Sequence, residues 1–98
     1  MEYYFSKLIA PRPTFPQDMT PEEGAIMKAH VDYWREWMGK GKVVVFGPVM
    51  DPNGVFGCGV LAVEDEAEVL RLIAADPVTK AGLGRYEHWP MRAVVPGA

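Results

Sequence analysis

Cysteine is all but missing from this chain. Cys58 stands alone among 98 residues, so no internal disulfide is available and a reducing compartment is expected. Histidine is scarce as well: His30 and His88 lie far apart and, with one cysteine, give no spacing that suits a metal site. Basic runs are absent. Ten lysines and arginines against thirteen aspartates and glutamates give a formal charge of −3, with no basic patch of the kind a nucleic-acid reader carries. The longest apolar run falls far short of a membrane span. The opening residues Met1-Glu2-Tyr3-Tyr4-Phe5 have neither the basic start nor the long apolar stretch of an export signal, so a cytoplasmic location is expected. Glycine-rich phosphate loops, a serine elbow, a dinucleotide fingerprint, internal repeats and low-complexity tracts are also lacking. These gaps point away from nucleotide, metal and nucleic-acid chemistry and leave small-molecule chemistry without a cofactor.

What remains is an ordinary globular composition, 49% apolar and 23% charged. A chain of this length makes one domain and buries only about 60–65% of its unfolded surface. The most organised stretch runs from Thr20 to Gly41. Thr20 suits the N-cap, Pro21 the first helical position, and Glu23 the return half of a capping box. At about 100° per residue, Ile26, Met27, His30, Val31, Tyr33, Trp34, Trp37 and Met38 share one side, opposite Lys28, Asp32, Arg35, Glu36 and Lys40. Gly39 and Gly41 are candidates for a left-handed stop. His30 thus occupies a position where a leucine would pack well. Helix spacing alone favours a packed core histidine, hydrogen-bonded to backbone, over a reactive one.

Before this helix, Tyr3 to Ile9 reads as a strand with bulk on both faces, and Ala10 to Met19, with three prolines, as a long loop. After it, Lys42 to Phe46 forms a second strand ending at Gly47-Pro48, and Asp51-Pro52-Asn53-Gly54 turns the chain into a third, Val55 to Val63. Gly57 and Gly59 leave little bulk on one face of that strand, making room for a ligand, a partner backbone or a bulky aromatic neighbour. Glu64 to Ala75 is a second helix, with Asp65 as a plausible N-cap. Asp76-Pro77 opens a short turn, and Arg85 to Val95 is a last strand in which Pro90 argues for an edge or a bulge. The order β-α-β-β-α-β predicts an α+β, ferredoxin-like fold: an antiparallel sheet with both helices on one face. Strands apolar on both faces leave the second face in need of cover, and a homodimer formed through it is expected.

Taken as a set, Pro11-Arg12-Pro13-Thr14-Phe15, Asp18-Met19-Thr20, Met27 with His30, Tyr33-Trp34, Gly47-Pro48, Asp51-Pro52 with Gly54, and Asp76-Pro77 with Gly82 resemble the YCII-related proteins. The resemblance runs from the first strand to Trp89-Pro90-Met91. It implies a ferredoxin-like fold in a dimer, related to the dimeric α+β barrels, and a histidine–aspartate pair in a pocket, which falls here on His30 and Asp76. The family's functional relatives, by the same resemblance, are a dehydrochlorinase of a chlorinated hydroxyquinol and, more distantly, muconolactone isomerase.

A histidine oriented by a carboxylate is a general base whose tautomer is fixed. Asp76 has an equally good structural role as N-cap of the turn starting at Pro77, and its two oxygens suffice for both tasks. Tyr3, Phe5, Tyr33 and Trp34 are placed to wall a pocket for a flat organic ligand. Arg12, Arg85 and Ser6 are the polar residues expected nearby, Arg12 as the substrate-binding cation. Cys58 has no adjacent base and reads as an inert thiol. Two functions fit: a small cofactor-free enzyme of proton-transfer type, an isomerase or a dehydrohalogenase-like lyase acting on a small cyclic molecule, or a non-catalytic dimeric module that binds a small ligand or serves a larger enzyme.

Overall fold

The capping box sets the start of the longest element. In the computed structural model, which describes residues 1–97, the Thr20 hydroxyl accepts the Glu23 N–H at 3.1 Å and the Glu23 carboxylate accepts the Thr20 N–H at 2.9 Å. The chain runs β1 (Glu2–Ile9), α1 (Phe15–Asp18), α2 (Pro21–Gly39), β2 (Val43–Val49), β3 (Phe56–Val63), α3 (Glu66–Ala74), α4 (Pro77–Lys80) and β4 (Arg85–Met91). Helix α2 ends where glycine allows it. Gly41 takes φ 81°, and its N–H and that of Lys42 donate to the carbonyls of Met38 and Trp37, closing the last turn.

The four strands form one antiparallel sheet in the order β2-β3-β1-β4, the ferredoxin-like arrangement. Both proline-bearing strands are edges: Pro48 lies in β2 and Pro90 in β4, where one side of the strand has no ladder to break. For that reason β2 runs on through Gly47-Pro48 to Val49 rather than stopping at Phe46. The last strand is shorter than its sequence suggests, ending at Met91 instead of Val95. The segment 10–19 is not wholly irregular, since α1 makes one helical turn that buries Phe15. Arg12 pins this turn to α2, with both guanidinium nitrogens of its fork on Glu23 at 2.7 and 2.8 Å and Nε on Asp18 at 2.8 Å. The Arg12 guanidinium, with the Thr20 backbone N–H, holds the Glu23 carboxyl at about 2.

Tyr4, Leu61 and Val63 of the sheet meet Trp34 of α2 and Val69 and Leu72 of α3 in the main core. The period of two along β1 sends Tyr4, Ser6 and Leu8 to this side and Tyr3, Phe5, Lys7 and Ile9 to the other. Of the apolar stripe of α2 only Trp34 is fully buried. The remainder is half-buried, except for exposed Met38, and a cavity separates the helix from the strands beneath it.

Candidate functional site

The cavity has a volume of about 550 Å³ and lies between α2 and the sheet. Its floor is low where β3 carries Gly57 and Gly59 on the helix side. A side chain at either would be crowded: a Cβ on Gly57 would sit 3.2 Å from Leu8 Cβ, and one on Gly59 would sit 3.0 Å from Ser6 Oγ. Met27, Val31 and Met38 form the helical wall, and Phe46 and Pro48 the opposite one.

His30 and Trp34 are one helical turn apart on α2 and reach the same carboxylate. Asp76 caps α4, accepting the Val78 N–H on Oδ1 at 3.0 Å. Its Oδ2 accepts from His30 Nδ1 at 2.8 Å, Trp34 Nε1 at 2.7 Å and the Tyr86 hydroxyl at 2.6 Å, while His30 Nδ1 also lies 3.0 Å from Oδ1. Asp76 is wholly sealed from solvent at 0% exposure, and every contact just named is a donor. Burial pushes its carboxyl up, but the hydrogen bonds from His30, Tyr86 and Val78 outweigh that and hold it below the usual aspartate value. The Tyr86 phenol moves the other way, raised by burial and then by the Asp76 charge, so it stays a donor.

An ionised carboxylate only accepts, so the His30 proton belongs on Nδ1. Nε2 is then the unprotonated nitrogen of the neutral ring and has no protein partner among the described residues. The His30 side chain is 12% exposed and forms part of the cavity wall. The arrangement therefore presents an oriented imidazole lone pair beside an apolar space. Among the described residues, no three of histidine, cysteine, aspartate and glutamate gather as a metal site.

The sequence matches the YCII-related domain over residues 5–92. The chain belongs to the YCII-related family. Among solved structures it is similar to a 5-chloro-2-hydroxyhydroquinone dehydrochlorinase from Burkholderia phenoliruptrix, in complex with 2,5-dihydroxybenzoquinone. The two are 23% identical with a TM-score of 0.67, over 91% of this chain and 93% of that one, a likeness of fold. No protein of curated function matches the sequence.

In this YCII-related chain the site residues expected from sequence separate into two groups. His30, Trp34 and Asp76 come together, with Ser6 on the cavity floor, its Oγ donating to the Gly59 carbonyl at 3.1 Å. Tyr3 and Phe5 do not line the cavity, because strand alternation sends them through the sheet to the face without helices. Tyr33 does not line it either: it stands edge-on to Trp34 and donates to the Leu72 carbonyl at 2.6 Å, on the α3 side. Arg12 is held by Asp18 and Glu23, and Arg85 pairs with Glu87, so neither supplies a cation there. His88 packs toward Tyr4 and pairs with Glu66. The space over Gly57 and Gly59 is largely open cavity, although Phe46 borders Gly59. Tyr86 and Arg35 are polar wall residues not expected from sequence, and the apolar walls of Met27, Val31, Met38, Phe46 and Pro48 were not expected either. Strand pairing brings Tyr86 opposite Leu8, and no feature local to the last strand announces that register.

Proposed function

We propose that this protein is a small cofactor-independent enzyme of proton-transfer type, acting on a small cyclic organic molecule. His30 Nε2 takes the proton, Asp76 fixes the ring, and the electron pair released moves into the substrate ring. Either a halide then leaves, as in a dehydrohalogenating lyase, or the proton returns at another atom, as in an isomerase. The observation that carries this reading is the Nδ1 contact to a buried, donor-saturated carboxylate, which leaves Nε2 as the one basic atom beside the cavity. The fold shared with a dehydrochlorinase of a hydroxylated ring supports a flat phenolic or quinonoid substrate. The test is to incubate the protein with chlorinated hydroquinones and hydroxyquinones, following halide release and ring deuteration in D2O by NMR. His30-dependent turnover is expected. The alternative, a non-catalytic binding module, is favoured by the apolar character of most of the wall, and binding without turnover across the whole set would establish it.

We also propose a homodimer through the face without helices, where Tyr3 and Phe5 lie beside Trp89, which is 47% exposed. Trp89→Glu should convert the dimer to a folded monomer, as read by sedimentation. A wild-type chain already monomeric at micromolar concentration would refute this.

A further inference from the structure

Arg35 differs from the charged residues around it. Lys28 pairs with Asp32 and Glu36 with Lys40 along the solvent side of α2, at 3.2 Å in each case. Arg35 has no such partner among the described residues, and it lines the cavity. It is the only lysine or arginine in the wall, and no carboxylate lines the cavity with it. Asp76, the nearest acid to His30, is sealed behind the imidazole and already holds four donors. A guanidinium left without an acid at the edge of an otherwise apolar space is an anion receptor: planar, permanently charged and able to grip two oxygens at once.

We infer that the ligand of this cavity is an organic anion, a ring bearing a carboxylate, phenolate or enolate oxygen, and that Arg35 is the residue that selects it. The inference rests on the proposed substrate site, and it names the substrate's charge. His30 and Arg35 are five residues apart on α2, so their backbones are separated by about 7.5 Å along the axis. Five residues also turn the helix by about 140°, so Arg35 borders the cavity from its exposed rim while His30 forms part of its wall. Arg35 is a positioning residue in this scheme and exchanges no proton. The negative charge of the chain as a whole, −3, works against anion binding elsewhere on the surface, which makes one unmatched arginine at the cavity the more selective.

The experiment uses probes close in shape and differing in charge: benzoate against benzamide, and 2,5-dihydroxybenzoquinone, ionised at neutral pH, against its neutral 2,5-dimethoxy ether. Binding to the full chain is followed through the Trp34 indole and His30 ring signals by NMR. The anion of each pair should bind about 1.5- to fivefold more tightly than its neutral partner, the range for an exposed ion pair, and the preference should shrink with added salt. Arg35→Met should abolish the preference, Arg35→Lys should keep part of it, and His30→Gln should leave it in place. Equal affinity within each pair, no binding of either anion, or a preference that survives in Arg35→Met would overturn the assignment. Because the readout is binding, an anion preference without turnover would count against the enzymatic reading and leave this one standing.

Discussion

Asp76→Ala lowers the stability of the fold by about 3–5 kcal/mol, the scale for breaking a buried hydrogen-bond network and leaving several donors unsatisfied. The expectation comes from the geometry of one side chain. Asp76 is 0% exposed and accepts from the His30 ring, the Trp34 indole, the Tyr86 hydroxyl and the Val78 amide. Alanine leaves these donors facing a cavity, each carrying about 1–3 kcal/mol of unmet desolvation cost before relaxation and water entry reduce the sum. It also removes the cap of α4. Set against a total of about 5–15 kcal/mol for a domain, the loss should shift the urea midpoint by about 1–3 M. A midpoint within a few tenths molar of wild type would contradict the account. Acid should act on the same carboxylate. Its value in the folded protein is held below the ordinary one, so the stability it gives is fully present above the unfolded value of about 3.9 and is lost as pH falls through the lowered folded value. The stability gap between wild type and Asp76→Asn should accordingly narrow below about pH 4. Asp18, Glu23 and Glu68 are shifted the same way but are common to both proteins, so the difference isolates Asp76.

His30→Gln has its largest effect on rate. Removing a positioned general base costs about 10²–10⁴ in turnover. Glutamine still offers an amide donor to Asp76, so the fold should persist, with a stability change within about 1.5 kcal/mol. Met27, Val31, Phe46 and Pro48, which line the cavity and would hold the ring of the proposed substrate, are not altered. The loss should therefore appear in kcat with KM little changed, the pattern of an interaction made in the transition state. In His30→Ala, added imidazole should restore part of the rate. Turnover that survives in both variants would remove His30 from the chemistry.

Helix caps, the Asp-Pro step and the edge proline Pro90 could be read directly from the chain, because each acts within four residues of itself, whereas Pro48 was read as a strand end. Thr20 with Glu23, Asp65 with Glu68, and Asp76 with Val78 all occupy their caps. The element order then left few ways to pack two helices on four strands, and the ferredoxin-like sheet followed. The faces of the strands were harder. Tyr3 and Phe5 are as aromatic as Tyr4, and only the pairing of β1 with β3 and β4 decides which of them meets the helices. Arg12 looked available as a substrate-binding cation, yet the fold of residues 10–19 brings it between Asp18 and Glu23. Arg35 is exposed, as its place among the solvent-facing charges of α2 implied, but a helical projection could not show that its side chain also borders the cavity. The cavity reflects Gly57 and Gly59, whose lack of side chains was visible in the sequence while what filled the space above them was not.

The most direct test of the His30–Asp76 arrangement is ¹⁵N NMR of histidine-labelled protein, wild type against Asp76→Asn, with His88→Gln to assign the second ring. In wild type, the neutral His30 ring should carry its proton on Nδ1, leaving a pyridine-like Nε2 signal. Asp76→Asn should lose that fixed tautomer while, in uniformly ¹⁵N-labelled protein, the backbone amides of Thr20 and Glu23 at the start of α2 keep their signals. A His30 ring protonated on Nε2 in wild type, or one indifferent to Asp76→Asn, would contradict the oriented base on which the proposed chemistry depends.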